Sequence, residues 1–175
     1  MIKLFAFDID GCLNNGKKFY NENGLCAGKF FCDKDWSVLK RLKARDIKIH
    51  AITGDPWNEN LLLARNIPYT ITRSEPKENL LPSLLTKYGI DVSEMAYIGD
   101  DIFDLNLLEK VGYPFCPKDA ISFDTVKNIH RLNSNGGDNI MVEIFNFFIK
   151  NKLIKNLNFN EEMEKVMDLD KNEKF

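Results

Sequence analysis

Short apolar runs alternate with amphipathic stretches along this chain, and several runs stop abruptly at acids, threonine or glycine. Residues 4–7 are continuously apolar and run straight into Asp8-Ile9-Asp10-Gly11, the pattern of a strand covered on both faces. After Asn14-Asn15-Gly16, residues 17–31 carry Asn23-Gly24 between two runs with aromatic content, which predicts a β-hairpin. Residues 34–45 set Trp36, Val38, Leu39 and Leu42 among charges, the spacing of an amphipathic helix. Residues 47–52 predict a strand that stops at Thr53-Gly54-Asp55-Pro56. A helix over 57–65 and a short strand over 69–72 follow, then a helix over 77–88 interrupted or bent at Pro82. Residues 95–98 predict a strand ending at Gly99-Asp100-Asp101, followed by a helix over 102–110, a strand over 113–116 and a helix over 140–150.

Strands alternating with helices in this order predict an α/β fold: a Rossmann-like, mostly parallel sheet with helices on both faces. The hairpin follows the first strand, and no insertion is long enough for a separate cap domain. Ligands of such sheets bind beyond the carboxyl ends of the strands. Asp8/Asp10, Thr53 and Asp100/Asp101 each directly follow an apolar run, so all three clusters fall at that edge.

Composition narrows the class. The 175 residues are 44% apolar and 29% charged, enough for one globular core. We expect a domain over 1–150 and a C-terminal tail over 151–175, helical or disordered; a frayed tail is the simpler reading and a helix packed on a neighbouring subunit the other. A net charge of −2 gives no electrostatic footprint for nucleic acid or an anionic membrane. Lys3 and Asp8 leave no room for a signal-peptide core, and no apolar run approaches a membrane span, so a cytoplasmic protein is expected. The four cysteines lack zinc-site spacing and read as small buried thiols.

Asp8 and Asp10 would share a face on a regular strand. Two carboxylates that close call for a cation or a proton, and Mg²⁺ suits oxygen ligands while keeping waters that a phosphate can displace. The other candidates are bland one by one. Thr53-Gly54-Asp55-Pro56 reads as a turn and helix start, Lys77 as a solvated helix residue, Asp104 as an exposed acid in a first turn, and Asp100-Asp101 as a helix cap. His50 and His130 read as structural.

Taken in order, Asp8-Ile9-Asp10-Gly11, Thr53-Gly54, Lys77 and Gly99-Asp100-Asp101 with Asp104 resemble the four motifs of the haloacid dehalogenase superfamily. Within it, the chain is similar to the capless sugar-acid phosphatases, which act on 3-deoxy-D-manno-octulosonate 8-phosphate or N-acylneuraminate 9-phosphate. The resemblance spans about residues 1–150 and includes the hairpin, Tyr97 to Asp101 and Gly136-Gly137. It implies that Asp8 is the nucleophile and that Asp10 serves as acid and then base. It implies Mg²⁺ held by the Asp8 carboxylate, the Asp10 main-chain carbonyl and Asp100. Thr53 and the backbone N–H groups around Gly54 would hold phosphoryl oxygens, and Lys77 would neutralise charge on Asp8 and the transferring group. Asp101 and Asp104 would orient metal waters or Lys77. The implied partner is a small phosphorylated sugar, and the implied assembly a homotetramer with the hairpins in a central barrel.

Three positions depart from the family pattern. Asp55 stands where an arginine commonly follows Thr-Gly, and Asp138 where one commonly follows Gly-Gly. A substrate carboxylate favours a guanidinium, so Arg73 and Arg131 become candidates to replace them. Trp36 replaces a common glycine and either reshapes the pocket entrance or fills core. Three alternatives stay open: a phosphatase for a non-carboxylated sugar phosphate, a non-catalytic phosphosugar-binding protein, and phosphoryl transfer to a second substrate.

Overall fold

The computed structural model describes residues 1–171. Its strands are β1 (Leu4–Phe7), β2 (Asn14–Tyr20), β3 (Cys26–Phe31), β4 (Lys48–Thr53), β5 (Tyr69–Ile71), β6 (Met95–Ile98), β7 (Tyr113–Cys116) and β8 (His130–Arg131). The helices are α1 (Asp33–Lys43), α2 (Asn58–Ala64), α3 (Leu81–Tyr88), α4 (Leu105–Leu108), α5 (Ile140–Lys150) and α6 (Phe159–Asp170). Six strands form one parallel sheet in the order β5-β4-β1-β6-β7-β8. The expected α/β architecture is therefore present, with β1 between β4 and β6.

The continuous apolar run of β1 has a simple cause. Phe5 and Phe7 pack into one core with Trp36, Leu39 and Leu42 of α1 and Ile144 and Phe148 of α5. Leu4 and Ala6 pack into the other with Leu84 of α3 and Leu107 and Leu108 of α4. Both faces of the strand are covered, so no position is left for a polar residue. The hairpin β2–β3 stands apart as its own antiparallel sheet, and Gly24 takes the left-handed conformation (φ 72°) that its turn requires.

Four local features differ from the sequence reading. The 77–88 helix is a 3₁₀ turn, Lys77–Leu80, followed by α3, with Pro82 in the first turn where its missing N–H costs nothing. The 102–110 helix shrinks to a 3₁₀ turn, Ile102–Asp104, and the four-residue α4. The two-residue β8 was not expected, since so short an edge carries no periodic signal. The frayed-tail reading fails over the described part of the tail: Asn158 caps α6 by accepting from Glu161 N at 3.0 Å. The helix lies along α1 of its own chain, where Glu162 accepts two 2.9 Å hydrogen bonds from the buried guanidinium of Arg45 and a further one from Arg41. Residues 172–175 of the tail lie outside the described residues. Among the described residues no helix is long and apolar enough to cross a membrane.

Candidate active site

The chain leaves β1 at Phe7, and Asp8 extends the ladder by one more bond, its N–H donating to Ile98 O at 3.0 Å. This delivers the Asp8 carboxylate to the sheet's carboxyl edge beside Asp100, which follows β6 by two residues. Oxygens of Asp8, Asp100 and Asp104 all lie within 4.8 Å of one another. The ammonium of Lys77 stands 3.1 Å from Asp8 and 2.6 Å from Asp104. Asp104 is not the exposed acid of its bland reading: it is fully buried and holds Lys77 in place. Its Oδ1 also accepts from Tyr97 Oη, and its Oδ2 accepts from Asp100 N and Asp101 N at 3.1 Å each.

Electrostatics mark this cluster as short of positive charge. Burial pushes the Asp8 carboxyl up to about 7, against the pull of Lys77. Burial, then Asp8 and Asp104, push Asp100 up to about 8. Burial alone would lower Lys77, but Asp8 and Asp104 outweigh it and raise it well above the usual lysine range. Three carboxylates share one ammonium, and a hard divalent cation is the group that this donor set fits. Both Asp104 oxygens are already hydrogen-bonded, so Asp8 and Asp100 are the carboxylates with coordination to offer.

Asp10 does not join that trio. The expectation that strand alternation sets it beside Asp8 fails because β1 has already ended, and its carboxylate is held elsewhere. Lys29 of β3 places its Nζ 2.7 and 2.8 Å from the two Asp10 oxygens. Asn14 Nδ2 donates to Oδ1 at 2.9 Å, and Asn58 Nδ2 donates to Oδ2 at 3.0 Å. The main-chain carbonyl is then the atom that Asp10 could give a cation. Asn58, fully buried, also donates to Thr53 Oγ1 at 2.9 Å, which leaves the Thr53 hydroxyl proton free to be donated. Lys29, Asn14 and Asn58 were all missed in the sequence.

Glycines let these segments approach. A Cβ on Gly11, which has φ 90°, would lie 1.9 Å from Asp100 Oδ2. One on Gly99 would lie 2.3 Å from Asp104, and one on Gly136 would lie 1.9 Å from Gly11 O. The Gly136-Gly137 element thus packs directly on the acidic loop, with Gly137 N donating to Cys12 O at 2.8 Å. Gly54 is different. A Cβ there would meet no atom within 4 Å, so its bareness keeps the cleft open.

The cleft has a volume of about 670 Å³ and takes in Asp8, Asp10, Thr53, Gly54, Lys77, Asp100, Asp101 and Asp104. Asp101 is exposed, and its carboxylate caps the 3₁₀ turn at Ile102 N; it touches neither Lys77 nor Asp8. Asp55 lines the cleft with both oxygens committed, Oδ1 to Trp57 N and Oδ2 to Lys18 at 2.6 Å and Lys29 at 2.9 Å. Burial would raise its pKa, but the two lysines and Trp57 N–H hold it well below the usual carboxylate range. Of the two candidate arginines, Arg131 donates to the carbonyls of Pro117, Lys118, Ala120 and Ile121 and is structural, while Arg73 lines the cleft and is exposed. Trp36 fills core against Phe31 and Arg65, so the pocket-entrance alternative falls. His50 bonds Tyr88 Oη and Thr70 Oγ1, and His130 packs on Phe115 and Phe147.

No family model matches the sequence. The chain is 30% identical over 153 residues to 3-deoxy-D-manno-octulosonate 8-phosphate phosphatase of Haemophilus influenzae, covering 85% of this chain and 83% of that one. The crystal structure of the phosphatase of that name from Moraxella catarrhalis, in complex with magnesium, phosphate and 3-deoxy-D-manno-octulosonate, matches with a TM-score of 0.76 at 30% identity. It covers 85% of this chain and 86% of that one. A cobalt-bound form of the Haemophilus influenzae enzyme matches with a TM-score of 0.77 at 27% identity over 85% and 88% of the two chains. With 30% identity across most of both chains, the chain belongs to the 3-deoxy-D-manno-octulosonate 8-phosphate phosphatase family of the haloacid dehalogenase superfamily, and it is a phosphoric monoester hydrolase.

Proposed function

We propose that this enzyme hydrolyses the phosphate ester of a small sugar acid, such as 3-deoxy-D-manno-octulosonate 8-phosphate or N-acylneuraminate 9-phosphate, through a phosphorylated Asp8. The observation that carries the mechanism is the buried Asp8 carboxylate at the strand end, 3.1 Å from Lys77, on the wall of an open cleft. An Asp8 oxygen attacks phosphorus, the bond from phosphorus to the sugar oxygen breaks, and Asp10, which enters this step protonated, gives that oxygen its proton and becomes a carboxylate. Asp10 then takes a proton from the water that attacks the aspartyl-phosphate, and the bond from phosphorus to Asp8 breaks to release phosphate. Thr53 donates its hydroxyl proton to a phosphoryl oxygen, and Lys77 balances charge on Asp8 and the transferring group. Mg²⁺ held by Asp8, Asp100 and the Asp10 carbonyl supplies the positive charge that offsets repulsion between the anionic nucleophile and the phosphate. Asp104 fixes Lys77; Asp101 shapes the turn that presents Asp104.

Arg73 supports the sugar-acid reading. It is exposed on the cleft wall, and no hydrogen bond or ion pair engages its guanidinium among the described residues. Asp55 does not stand against that reading, because Lys18 and Lys29 already neutralise it. The absence of the two family arginines favours a second reading, a non-carboxylated sugar phosphate. Phosphate release from a panel separates them: octulosonate 8-phosphate, neuraminate 9-phosphate and hexose phosphates, with Mg²⁺, with EDTA, and with Asp8→Asn. We expect metal-dependent release from a sugar-acid phosphate, lost at least 10³-fold in Asp8→Asn; preference for neutral esters would sink the substrate class, and silence on all would sink the mechanism.

The hairpin supports a homotetramer. Phe19, Tyr20, Leu25 and Phe30 are exposed on a two-stranded sheet with unpaired edges, which a second copy would cover. A monomer by sedimentation at micromolar concentration would refute it. Four free thiols agree with a cytoplasmic setting.

A further inference from the structure

The Lys29 side chain has no exposed surface although it comes from the peripheral hairpin. Its Nζ meets four acceptors: both Asp10 oxygens at 2.7 and 2.8 Å, Asp55 Oδ2 at 2.9 Å and Asn58 Oδ1 at 2.9 Å. It lies 5.0 Å from the Trp57 ring centroid, and the Trp57 indole N–H in turn donates to Cys26 O of the same strand at 3.1 Å. A buried ammonium is unfavourable unless ringed by acceptors in this way. Lysine in a hairpin strand has no packing reason to be enclosed, and two of the four acceptors that ring its ammonium are the Asp10 oxygens.

We infer that Lys29 is a positioning residue for the reaction: it fixes the orientation of the Asp10 carboxylate and so ties acid–base chemistry to the hairpin. The inference rests on the role given to Asp10 above. Without Lys29 the carboxylate keeps only the two amide donors of Asn14 and Asn58 and is free to turn about its side-chain bonds. A displacement of about 1 Å at a group that must meet the leaving oxygen costs on the order of 10²-fold in rate. Asp55 belongs to the same arrangement, because its Oδ2 shares Lys29 with Asp10.

The test compares two leaving groups. A sugar oxygen needs a proton to depart, whereas p-nitrophenolate does not. In Lys29→Met, single-turnover cleavage of a sugar phosphate should fall about 10²-fold, while the burst of p-nitrophenolate from p-nitrophenyl phosphate falls at least ten-fold less. Lys29→Arg should recover part of the loss and keep the same bias between the two esters. It also serves as the test if circular dichroism shows Lys29→Met to be unfolded. Equal loss on both esters, in whichever variant is folded, would mean a merely structural lysine and overturn the inference. So would an unchanged sugar-phosphate rate beside an active wild type. A wild type inactive on both esters would instead refute the phosphatase mechanism, and the inference with it.

Discussion

Two buried lysines flank the end of β1, and each holds one of the two motif aspartates. Lys77 meets Asp8 and Asp104, with Asp100 beside them, so three carboxylates face one ammonium. Lys29 meets Asp10 and Asp55, and Lys18 adds a second ammonium on Asp55, so two carboxylates face two ammoniums. The first group is electrostatically unfinished, and the raised Asp8 and Asp100 register the deficit. The second is balanced without any further cation whenever Asp10 is ionised. Charge count thus separates a place built to receive a cation and a phosphate from a place built to hold one carboxylate still.

The largest expected effect breaks the unfinished side. Gly11→Ala would set a Cβ 1.9 Å from Asp100 Oδ2 on a backbone at φ 90°, so the Asp100 carboxylate must leave its place beside Asp8. Calorimetric titration with Mg²⁺ should show at least a ten-fold weaker site, with turnover falling in step. Unchanged affinity would mean that Asp100 is not a ligand. Gly54→Ala is the matched control, because its Cβ meets nothing within 4 Å and acts only through the cleft's open space.

A middle-sized effect breaks the finished side. Asp55→Arg removes one Lys29 acceptor and adds a third cation beside Lys18 and Lys29. We expect kcat to fall about three- to ten-fold, and the loss to be non-additive with Lys29→Met in a double-mutant cycle, since both act on one carboxylate. A gain in kcat/KM confined to carboxylated substrates would mean that an arginine here reaches the ligand, and the two sides would no longer be separable.

The same contrast explains what the sequence disclosed. Asp8, Thr53 and Asp100 are legible because each follows an apolar strand, and parallel topology sends strand ends to one edge. Lys77 and Asp104 are legible only through the family resemblance; alone, both read as solvated, and burial reverses that reading. Lys29 and Asn58 gave no sign, because their contacts with Asp10 span 19 and 48 residues and arise from folding rather than local pattern; Asn14, four residues from Asp10, read only as part of the turn before the hairpin. Alternation pointed the wrong way: beside aromatic Phe30 a lysine reads as the outward residue, yet Phe30 is 60% exposed and the Lys29 side chain is not exposed at all. The tail misled through composition: its charges read as solvated, while Glu162 is matched to Arg41 of α1 and Arg45 just beyond its end, more than 100 residues away.

The smallest expected effect uses a third buried carboxylate that has no lysine at all. Asp35 of α1 is fully buried, and its Oδ1 accepts from Met141 N at 3.0 Å and Val142 N at 3.4 Å, tying α1 to the start of α5. Its Oδ2 has no hydrogen-bond partner among the described residues. Burial pushes the group up to about 6, against those N–H bonds, from an ordinary value of 3.8. The folded state therefore binds a proton that the unfolded chain has already lost between about pH 4 and 6, and this contribution to stability fades as pH rises through 6. Asp35→Asn keeps an oxygen for the two N–H groups and removes the buried charge. At pH 7.5 we expect it to melt a few degrees higher than the wild type, with the gap narrowing below pH 6 and closing as pH falls toward 4. A variant that melts lower at every pH would mean that Asp35 is ionised and paired after all, and that burial without a cation is not what distinguishes it from Asp8 and Asp10.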